Sequence, residues 1–125
     1  MSATSIGLPW TTPLTQNQLR RMHHHLEAAT KRRMSDEARW TIRAEHPEPF
    51  DPPVTVTLHY RPATRRVCDS DGIAPTLKIA LDALVREGLL PGDDWRYVTA
   101  TTQRIHPPLP GMPAGMWLTI REDRP

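Results

Sequence analysis

Several residue types are scarce in this sequence. Cys68 is the single cysteine, so no disulfide can form within the chain. No apolar run approaches the roughly 18 residues of a membrane-spanning helix, and the N-terminus lacks the charged-then-apolar pattern of a signal peptide. These absences exclude a disulfide-stapled domain, and they predict an intracellular, cytoplasmic protein without a membrane partner.

Lysine is also scarce, since Lys31 and Lys78 are the only two among 16 basic residues other than histidine. An arginine-rich chain that keeps a lysine inside an acidic stretch is consistent with a need for a compact ammonium group there. Proline is abundant instead, with 14 residues, which predicts numerous stiff loops. Hydrophobic residues at 38% and charged residues at 24% predict one globular domain over residues 1–125.

The formal net charge is only +2, but the charges are unevenly distributed. Acids cluster at 69–71 and 93–94. Basic residues cluster at Arg20-Arg21, at Lys31-Arg32-Arg33 and at Arg65-Arg66. Such clusters can hold a phosphate backbone over an acidic site. For any single basic pair, an ordinary solvated face is the better interpretation, so DNA binding by Lys31, Arg32, Arg33, Arg65 and Arg66 is a hypothesis about the set.

Hydrophobic periodicity predicts an α+β fold, in which a small mixed sheet is packed by two helical regions. The clearest strand is 54–61, where apolar and polar residues alternate. Strands are also expected near 5–8, 95–105 and 116–121. One helical region runs from about 16 to 46 with a break near residue 34, since Ser35 is a start signal. The other runs from Pro75 to the Gly88 stop.

Residues 69–94 carry acids at both ends of the second helical region. In an extended segment alternate residues point to the same side, so Asp69 and Asp71 can present both carboxylates to one point. Mg²⁺ is typically bound by one or two carboxylates, with water and phosphate in the other positions. We interpret the stretch as a Mg²⁺ site, with Mn²⁺ as an alternative ion, in which acids from both ends converge beside Lys78.

Single residues of this stretch can also be explained by ordinary structural roles. Asp71 can cap the following helix, although a cap does not explain the acids after Gly88. Asp82 is better interpreted as a surface ion-pair partner of Lys78 or Arg86 than as a metal ligand. Lys78 is equally consistent with a surface residue and with a phosphate-facing catalytic group.

Two further residue types that bind metals or act as nucleophiles are given structural roles. His23, His24 and His25 fall in a predicted helix, where consecutive residues splay by about 100° and cannot share one ion well. Cys68 has no neighbouring base in the sequence and is interpreted as a small packing residue.

The order of these motifs resembles that of RusA-type Holliday junction resolvases. The similar elements are Asp69-Ser-Asp71, Lys78, Asp82-Ala-Leu84, Gly88 and Asp93-Asp94, together with the opening Ile6-Gly-Leu-Pro-Trp10. The resemblance covers the ends and the second half of the chain, and it is weak between about 15 and 50. It implies that Asp69, Asp71 and Asp94 bind Mg²⁺ and that Lys78 is the catalytic lysine. Asp93 can replace Asp94 if the turn slips by one residue.

The resemblance also implies a function and partners. Members of that family act as homodimers that cut two opposing strands of a four-way DNA junction, and they often come from phages or prophages. This chain departs from the family pattern at Gly72, where the family usually has asparagine, and in about three extra residues at 73–75. The alternatives are a nuclease for other branched DNA and a catalytically silent DNA-binding phage accessory protein of the same fold.

Overall fold

The computed structural model describes residues 3–45, 48–65 and 68–123, which form a four-stranded mixed sheet packed by helices. The α+β class expected from the sequence is confirmed. The elements are β1 (Ala3–Leu8), α1 (Gln16–Arg21), α2 (His24–Glu45), β2 (Val54–Arg61), a 3-10 helix (Ser70–Ile73), α3 (Ala74–Arg86), β3 (Val98–Ile105) and β4 (Gly115–Glu122). Within the described ranges, no helix combines the length and apolarity that a bilayer crossing requires.

The strands lie in the order β1-β4-β2-β3. β4 pairs antiparallel with both β1 and β2, whereas β2 and β3 are parallel. A parallel pair needs a crossover connection between its strands. Here the crossover contains the 3-10 helix and α3, so the predicted acids follow β2 and precede β3.

One face of the sheet forms the core with the helices. Along β2 the side chains of Val54, Val56 and Leu58 are fully buried, while the alternate residues are only half-buried. This is the period of two predicted for that strand. The helices contribute buried residues at helical spacing, namely Met34, Ala38 and Ile42 from α2 and Leu77, Ala80, Leu81 and Leu84 from α3.

The predicted long helical region is interrupted at a different place than expected. Thr15 and Gln18 form the predicted capping box at the start of α1. That helix ends early because Met22 adopts an extended conformation. No break occurs near residue 34, and Ser35 is a buried residue within α2. Packing of this part of α2 against the core outweighs the local start signal at Ser35.

The third predicted strand also starts later than expected, at Val98. Residues 95–97 form a turn, in which the carbonyl of Asp94 accepts hydrogen bonds from Tyr97 and Val98 at 2.9 Å each. The alternating aromatic and hydroxyl residues after Asp94 are typical of a strand, but this turn excludes the first three of them.

A buried threonine attaches the segment before α1 to the start of α3. The Thr76 hydroxyl accepts a hydrogen bond from the Leu14 amide and donates one to the Leu14 carbonyl, each at 2.8 Å. Thr76 is completely buried. These two hydrogen bonds fix residues 12–15 beside the 3-10 helix that follows Asp69.

Replacing Thr76 with valine should therefore destabilise the protein without changing side-chain volume. The substitution leaves the buried backbone groups of Leu14 without partners, which costs about 1–3 kcal/mol in the free energy of unfolding. Urea denaturation measures the change. Thr41→Val is the control, since among the described residues the Thr41 hydroxyl bonds only to the Glu37 carbonyl in its own helix. Equal stability of the Thr76 variant and the wild type would contradict the role of this bond.

An ion-pair network joins α2 to the end of α3. The Glu87 carboxylate accepts hydrogen bonds from Arg43 at 2.7 and 3.0 Å and from Arg39 at 2.8 Å, and its side chain is only 6% exposed. The hydrogen bond from Arg43, followed in size by the one from Arg39, lowers the pKa of Glu87 from 4.5 to about 2. Glu87 lies outside every motif recognised in the sequence.

This network predicts a dependence of stability on pH. Because the pKa of Glu87 is lower in the folded state, its contribution is complete above about pH 4.5 and is lost as the pH falls toward 2. Glu87→Gln should lower the free energy of unfolding by about 1–3 kcal/mol at neutral pH, and the difference from wild type should shrink on acidification. Urea denaturation across that pH range tests this. Glu37→Gln, which removes only an exposed pair with Arg33 at 3.8 Å, should change little.

The face of the sheet opposite the helices carries a polar and aromatic cluster. His59 Nδ1 lies 2.8 Å from His106 Nε2, and His59 Nε2 lies 2.7 Å from the Thr119 hydroxyl. Trp117 stacks on both imidazoles, and Arg61 lies over its indole ring. Burial lowers the pKa of both histidines.

Candidate active site

The first acidic pair lies at a helical turn rather than in an extended segment. Asp69 precedes the 3-10 helix in an extended conformation, and its carbonyl accepts a hydrogen bond from the Gly72 amide at 3.1 Å. Asp71 is inside that short helix. The argument that alternate residues of a strand share a side is therefore wrong for this pair, because residues two apart in a 3-10 helix point in different directions.

Both acids nevertheless line the same groove. We call it the Asp69 groove; it has a volume of about 710 Å³ and lies between the 3-10 helix and α1. Its walls are Thr12, Pro13, Thr15, Gln16, Asn17, Gln18, Arg20, Tyr60, Pro62, Cys68, Asp69, Asp71, Gly72 and Ile73. Asp69 and Asp71 are exposed, and neither carboxylate forms a hydrogen bond or ion pair with the rest of the described chain. Their oxygens are available to a ligand.

Cys68 differs from its expected role. Its thiol is exposed and free, and it lines the Asp69 groove beside the first acid. It is therefore not a packing residue. The prediction failed because the absence of a neighbouring base argues against a nucleophile but does not make a cysteine buried, and this segment lies at the surface after the end of β2.

Lys78 lies on a second groove, formed by all three helices. This Lys78 groove has a volume of about 610 Å³. Its walls are Gln16, Leu19, Ala28, Lys31, Arg32, Ser35, Ala74, Pro75, Lys78, Ile79, Asp82, Arg86 and Asp93. The lining contains four basic and two acidic side chains, so its charge is positive. The Ser35 hydroxyl is buried there and lacks a hydrogen-bond partner among the described residues.

The two grooves adjoin at Gln16, which lines both of them. The capping box correctly predicted the start of α1. However, no sequence pattern indicated that α1 lies close to both the acids and Lys78. The sequence likewise did not indicate that Arg20 lies in the groove of Asp69 and Asp71. These relations arise because α1 lies against the 3-10 helix and lines the same groove as residues of α3.

Asp82 pairs with Arg86 at 3.0 Å, as one of the sequence alternatives expected. Lys78 forms no ion pair within residues 3–45, 48–65 and 68–123, and its side chain is exposed. Its ammonium group is therefore available to a ligand in the groove.

The second acidic pair is divided between two environments. Asp93 is exposed and lines the Lys78 groove, and it has no bonded partner in the described part of the chain. Asp94 instead accepts hydrogen bonds from the Arg96 guanidinium at 3.0 and 2.9 Å and from the Arg96 amide at 3.0 Å. The side-chain bond to Arg96 is the main reason that the pKa of Asp94 is lowered.

The predicted DNA-binding residues lie at different positions relative to the grooves. Lys31 and Arg32 line the Lys78 groove, with Lys31 3.7 Å from Glu27. Arg33 is exposed and pairs weakly with Glu37. Arg65 is exposed and belongs to neither groove lining, and Arg66 lies outside the described residues.

The predicted acids do not form a compact ligand cluster. Among the described residues, only His23, His24 and His25 form a group of three or more metal-binding side chains with their ligand atoms close together. Asp69 and Asp71 line one groove, Asp93 lines the other, and Asp94 is bonded to Arg96. A metal site shared by these acids stays a prediction.

Comparison with known proteins identifies no family for this chain. No protein-family model matches it, and a search of curated proteins found no significant match.

Proposed function

We propose that this chain is a Mg²⁺-dependent endodeoxyribonuclease that cuts branched DNA, with four-way junctions as its preferred substrate. One observation carries the proposal: the carboxylates of Asp69 and Asp71 and the ammonium group of Lys78, which have no partners among the described residues, line grooves that adjoin at Gln16. Metal-dependent phosphodiester hydrolysis uses carboxylates to hold the metal and a cation to balance charge on the phosphate, and both kinds of side chain are present here.

The charges of the Lys78 groove favour a phosphate backbone as its ligand. Lys31, Arg32, Lys78 and Arg86 supply four positive charges against the carboxylates of Asp82 and Asp93, of which Asp82 already pairs with Arg86. The buried hydroxyl of Ser35 adds a donor without a partner in the described chain. Lys31 and Arg32 would position a DNA strand lying in this groove. Lys78 would then contact the phosphate nearest Asp69 and Asp71.

The donor chemistry of the Asp69 groove fits Mg²⁺ or Mn²⁺. Asp69 and Asp71 offer exposed carboxylate oxygens, and a Mg²⁺ site commonly needs only one or two carboxylates besides water and phosphate oxygens. When bound, the ion would activate water and offset charge on the phosphate. Asp69 and Asp71 would hold it, and Lys78 would stabilise the negative charge that develops on the phosphate oxygens.

Asp93 is proposed as the third acid in preference to Asp94, because Asp94 is occupied by Arg96. Asp93→Asn should then lower cleavage about tenfold or more, whereas Asp94→Asn should act mainly by loosening the turn before β3. Cleavage rates at saturating Mg²⁺, with circular dichroism as a check on folding, separate the two effects. A larger loss in a well-folded Asp94→Asn variant would assign the metal to Asp94.

The proposal includes a homodimer and a recombination role, both following from the resemblance to RusA-type resolvases. A four-way junction has approximate two-fold symmetry, and a two-fold dimer would present one site to each of two opposing strands.

A catalytically silent DNA-binding protein of the same fold is the second candidate. It is favoured by the division of the acids between two grooves and by Gly72 at a position where the resolvase family usually has asparagine. In this case Lys31, Arg32 and Lys78 bind the backbone, and the acids have no catalytic role.

Cleavage of a synthetic four-way junction, compared with linear duplex of the same arms, tests the proposed function. We expect paired nicks near the crossover in the presence of Mg²⁺ and none with EDTA. Junction binding without cleavage of any branched DNA would establish the silent DNA-binding protein instead. Equal cleavage of junction and linear duplex would leave a nuclease but remove its structural selectivity.

A further inference from the structure

We propose that His23, His24 and His25 form a binding site for a transition-metal ion of the Zn²⁺ or Ni²⁺ class. Their ligand atoms all lie within 4.8 Å of one another, and all three side chains are exposed. The site is separate from both grooves, whose linings contain none of the three histidines. It does not depend on the proposed nuclease activity.

The three rings come together because the helical region is interrupted just before them. Met22 is extended, and α2 begins only at His24, so His23 precedes the helix. The splay of about 100° between helical neighbours therefore separates only His24 and His25. The ring of His23 folds back to within 4.5 Å of the His24 ring centre and 5.1 Å of the His25 ring centre. The expectation that these residues cannot share an ion rested on one continuous helix and was wrong in that premise.

The distances are close to those of a metal site. Zn–N bonds of about 2.0–2.1 Å in a tetrahedral site place two ligand nitrogens roughly 3.3 Å apart. The ligand atoms here are at most 4.8 Å apart, so the largest approach required is about 1.5 Å. Rotation of exposed side chains supplies such a movement without disturbing the core. Three imidazoles and a water are a common tetrahedral set for Zn²⁺, and imidazole also suits Ni²⁺ and Cu²⁺.

The charges around the three histidines oppose the binding of a cation. The positive end of the α2 dipole, together with Arg20 and Arg21 in the last turn of α1, repels a cation. Glu27 in the first turn of α2 offsets part of this charge, although it also pairs with Lys31 at 3.7 Å. We therefore expect a moderate affinity, supplied by the imidazole–metal bonds.

His23 has a competing role at the start of α2. Its Nδ1 accepts a hydrogen bond from the His25 amide at 3.3 Å, as a helix N-cap does. A neutral imidazole that accepts at Nδ1 carries its proton on Nε2, so His23 must give up this long bond to become a ligand. Metal binding and capping are therefore alternatives at His23, and a substitution that preserves the cap can separate them.

Titration of the metal-free full chain with Zn²⁺ or with Ni²⁺ in a calorimeter tests the site. The wild type should bind one ion per chain, and Mg²⁺ should not compete, because it prefers oxygen ligands. The His24→Gln/His25→Gln double variant should lose affinity by at least about tenfold. Absence of Zn²⁺ and Ni²⁺ binding by the wild type, or unchanged affinity in the double variant, overturns the proposal.

Two further variants make the assignment specific. His23→Asn retains a strong N-cap residue, so its thermal midpoint should match the wild type while its metal affinity falls. Unchanged affinity in this variant would overturn the three-histidine site. His59→Gln/His106→Gln removes the other described histidine pair and should leave affinity unchanged. A loss of binding there would assign the ion to the sheet face instead.

Discussion

Replacing Asp71 with asparagine should reduce Mg²⁺-dependent cleavage of a four-way junction by at least about a hundredfold while leaving junction binding largely intact. The substitution removes one charged metal ligand and preserves the size of the side chain. Asp71 is exposed and its carboxylate forms no bond with the rest of the described chain, so replacing that group should not unfold the protein. Single-turnover cleavage with excess enzyme, together with gel-shift binding in Ca²⁺ or EDTA, measures the two properties separately.

Asp36→Asn is the matched control for Asp71. Asp36 is an exposed aspartate on α2 and belongs to neither groove lining. The Asp36→Asn substitution removes the same negative charge as Asp71→Asn, so any general electrostatic effect on DNA binding appears in both variants. Normal cleavage by the Asp71 variant would disprove the metal assignment, and equal losses in both variants would attribute the effect to net charge.

Replacing Lys78 with methionine should lower the rate of cleavage by about a hundredfold or more, with a smaller change in junction affinity. An unpaired ammonium group beside a phosphate acts mainly as charge develops in the transition state, whereas its contribution to binding is shared with the other bases of the Lys78 groove. Single-turnover rates at saturating enzyme report the transition-state effect, because incomplete binding no longer limits them.

Lys31 provides an internal comparison, since it lies in the same groove and is the only other lysine. Lys31→Met should weaken binding to any DNA and reduce the slope of log affinity against log salt by about 1, without changing the saturated rate. If both variants lose only affinity, Lys78 is a backbone-binding residue and the catalytically silent alternative gains support. If Lys31→Met alone lowers the saturated rate, the roles of the two lysines are reversed.

The parts of the fold that were predicted well have strong local signals that agree with tertiary packing. In β2 the alternation of residues 54–61 matches a strand with one buried face, and the strand has those bounds. For α3, the apolar stripe, the proline in the first turn and Gly88 with a φ of 76° all agree. Where the hydrophobic periodicity and the signals at both ends indicate the same element, the sequence is sufficient to predict that element.

The errors occurred where a tertiary or local backbone contact outweighed the pattern. Ser35 resembles a helix start, but packing of its neighbours Met34 and Ala38 keeps α2 continuous. Trp95 resembles the start of a strand, but the Asp94 carbonyl closes a turn over it. The break at Met22 had no distinct sequence signal, since leucine, methionine and alanine continue at helical spacing on both sides.

In the candidate site, too, the sequence predicted some features and not others. The sequence proposed Asp69, Asp71, Asp94 and Lys78 as a set, with Asp93 as the substitute for Asp94, because acids and a lysine around one helix are recognisable as a pattern. It did not indicate that Arg96 occupies Asp94 or that Asp69 and Lys78 lie on different grooves. Hydrogen bonds to a neighbouring guanidinium and the path of a groove depend on side-chain positions, which residue order does not specify.

By itself, the sequence determined the α+β class, the strand at 54–61 and the helix after Pro75, and it named the candidate residues for phosphate and metal chemistry. These follow from periodicity and residue type, which act over a few neighbouring positions. Only the tertiary structure decided that α1 separates from α2, that Gln16 joins the two grooves, and that His23 meets His24 and His25. The shared position of Gln16 depends on packing, which joins residues that are distant in the chain. The separation of α1 from α2 and the meeting of the three histidines depend on the extended backbone at Met22, for which the sequence has no distinct signal.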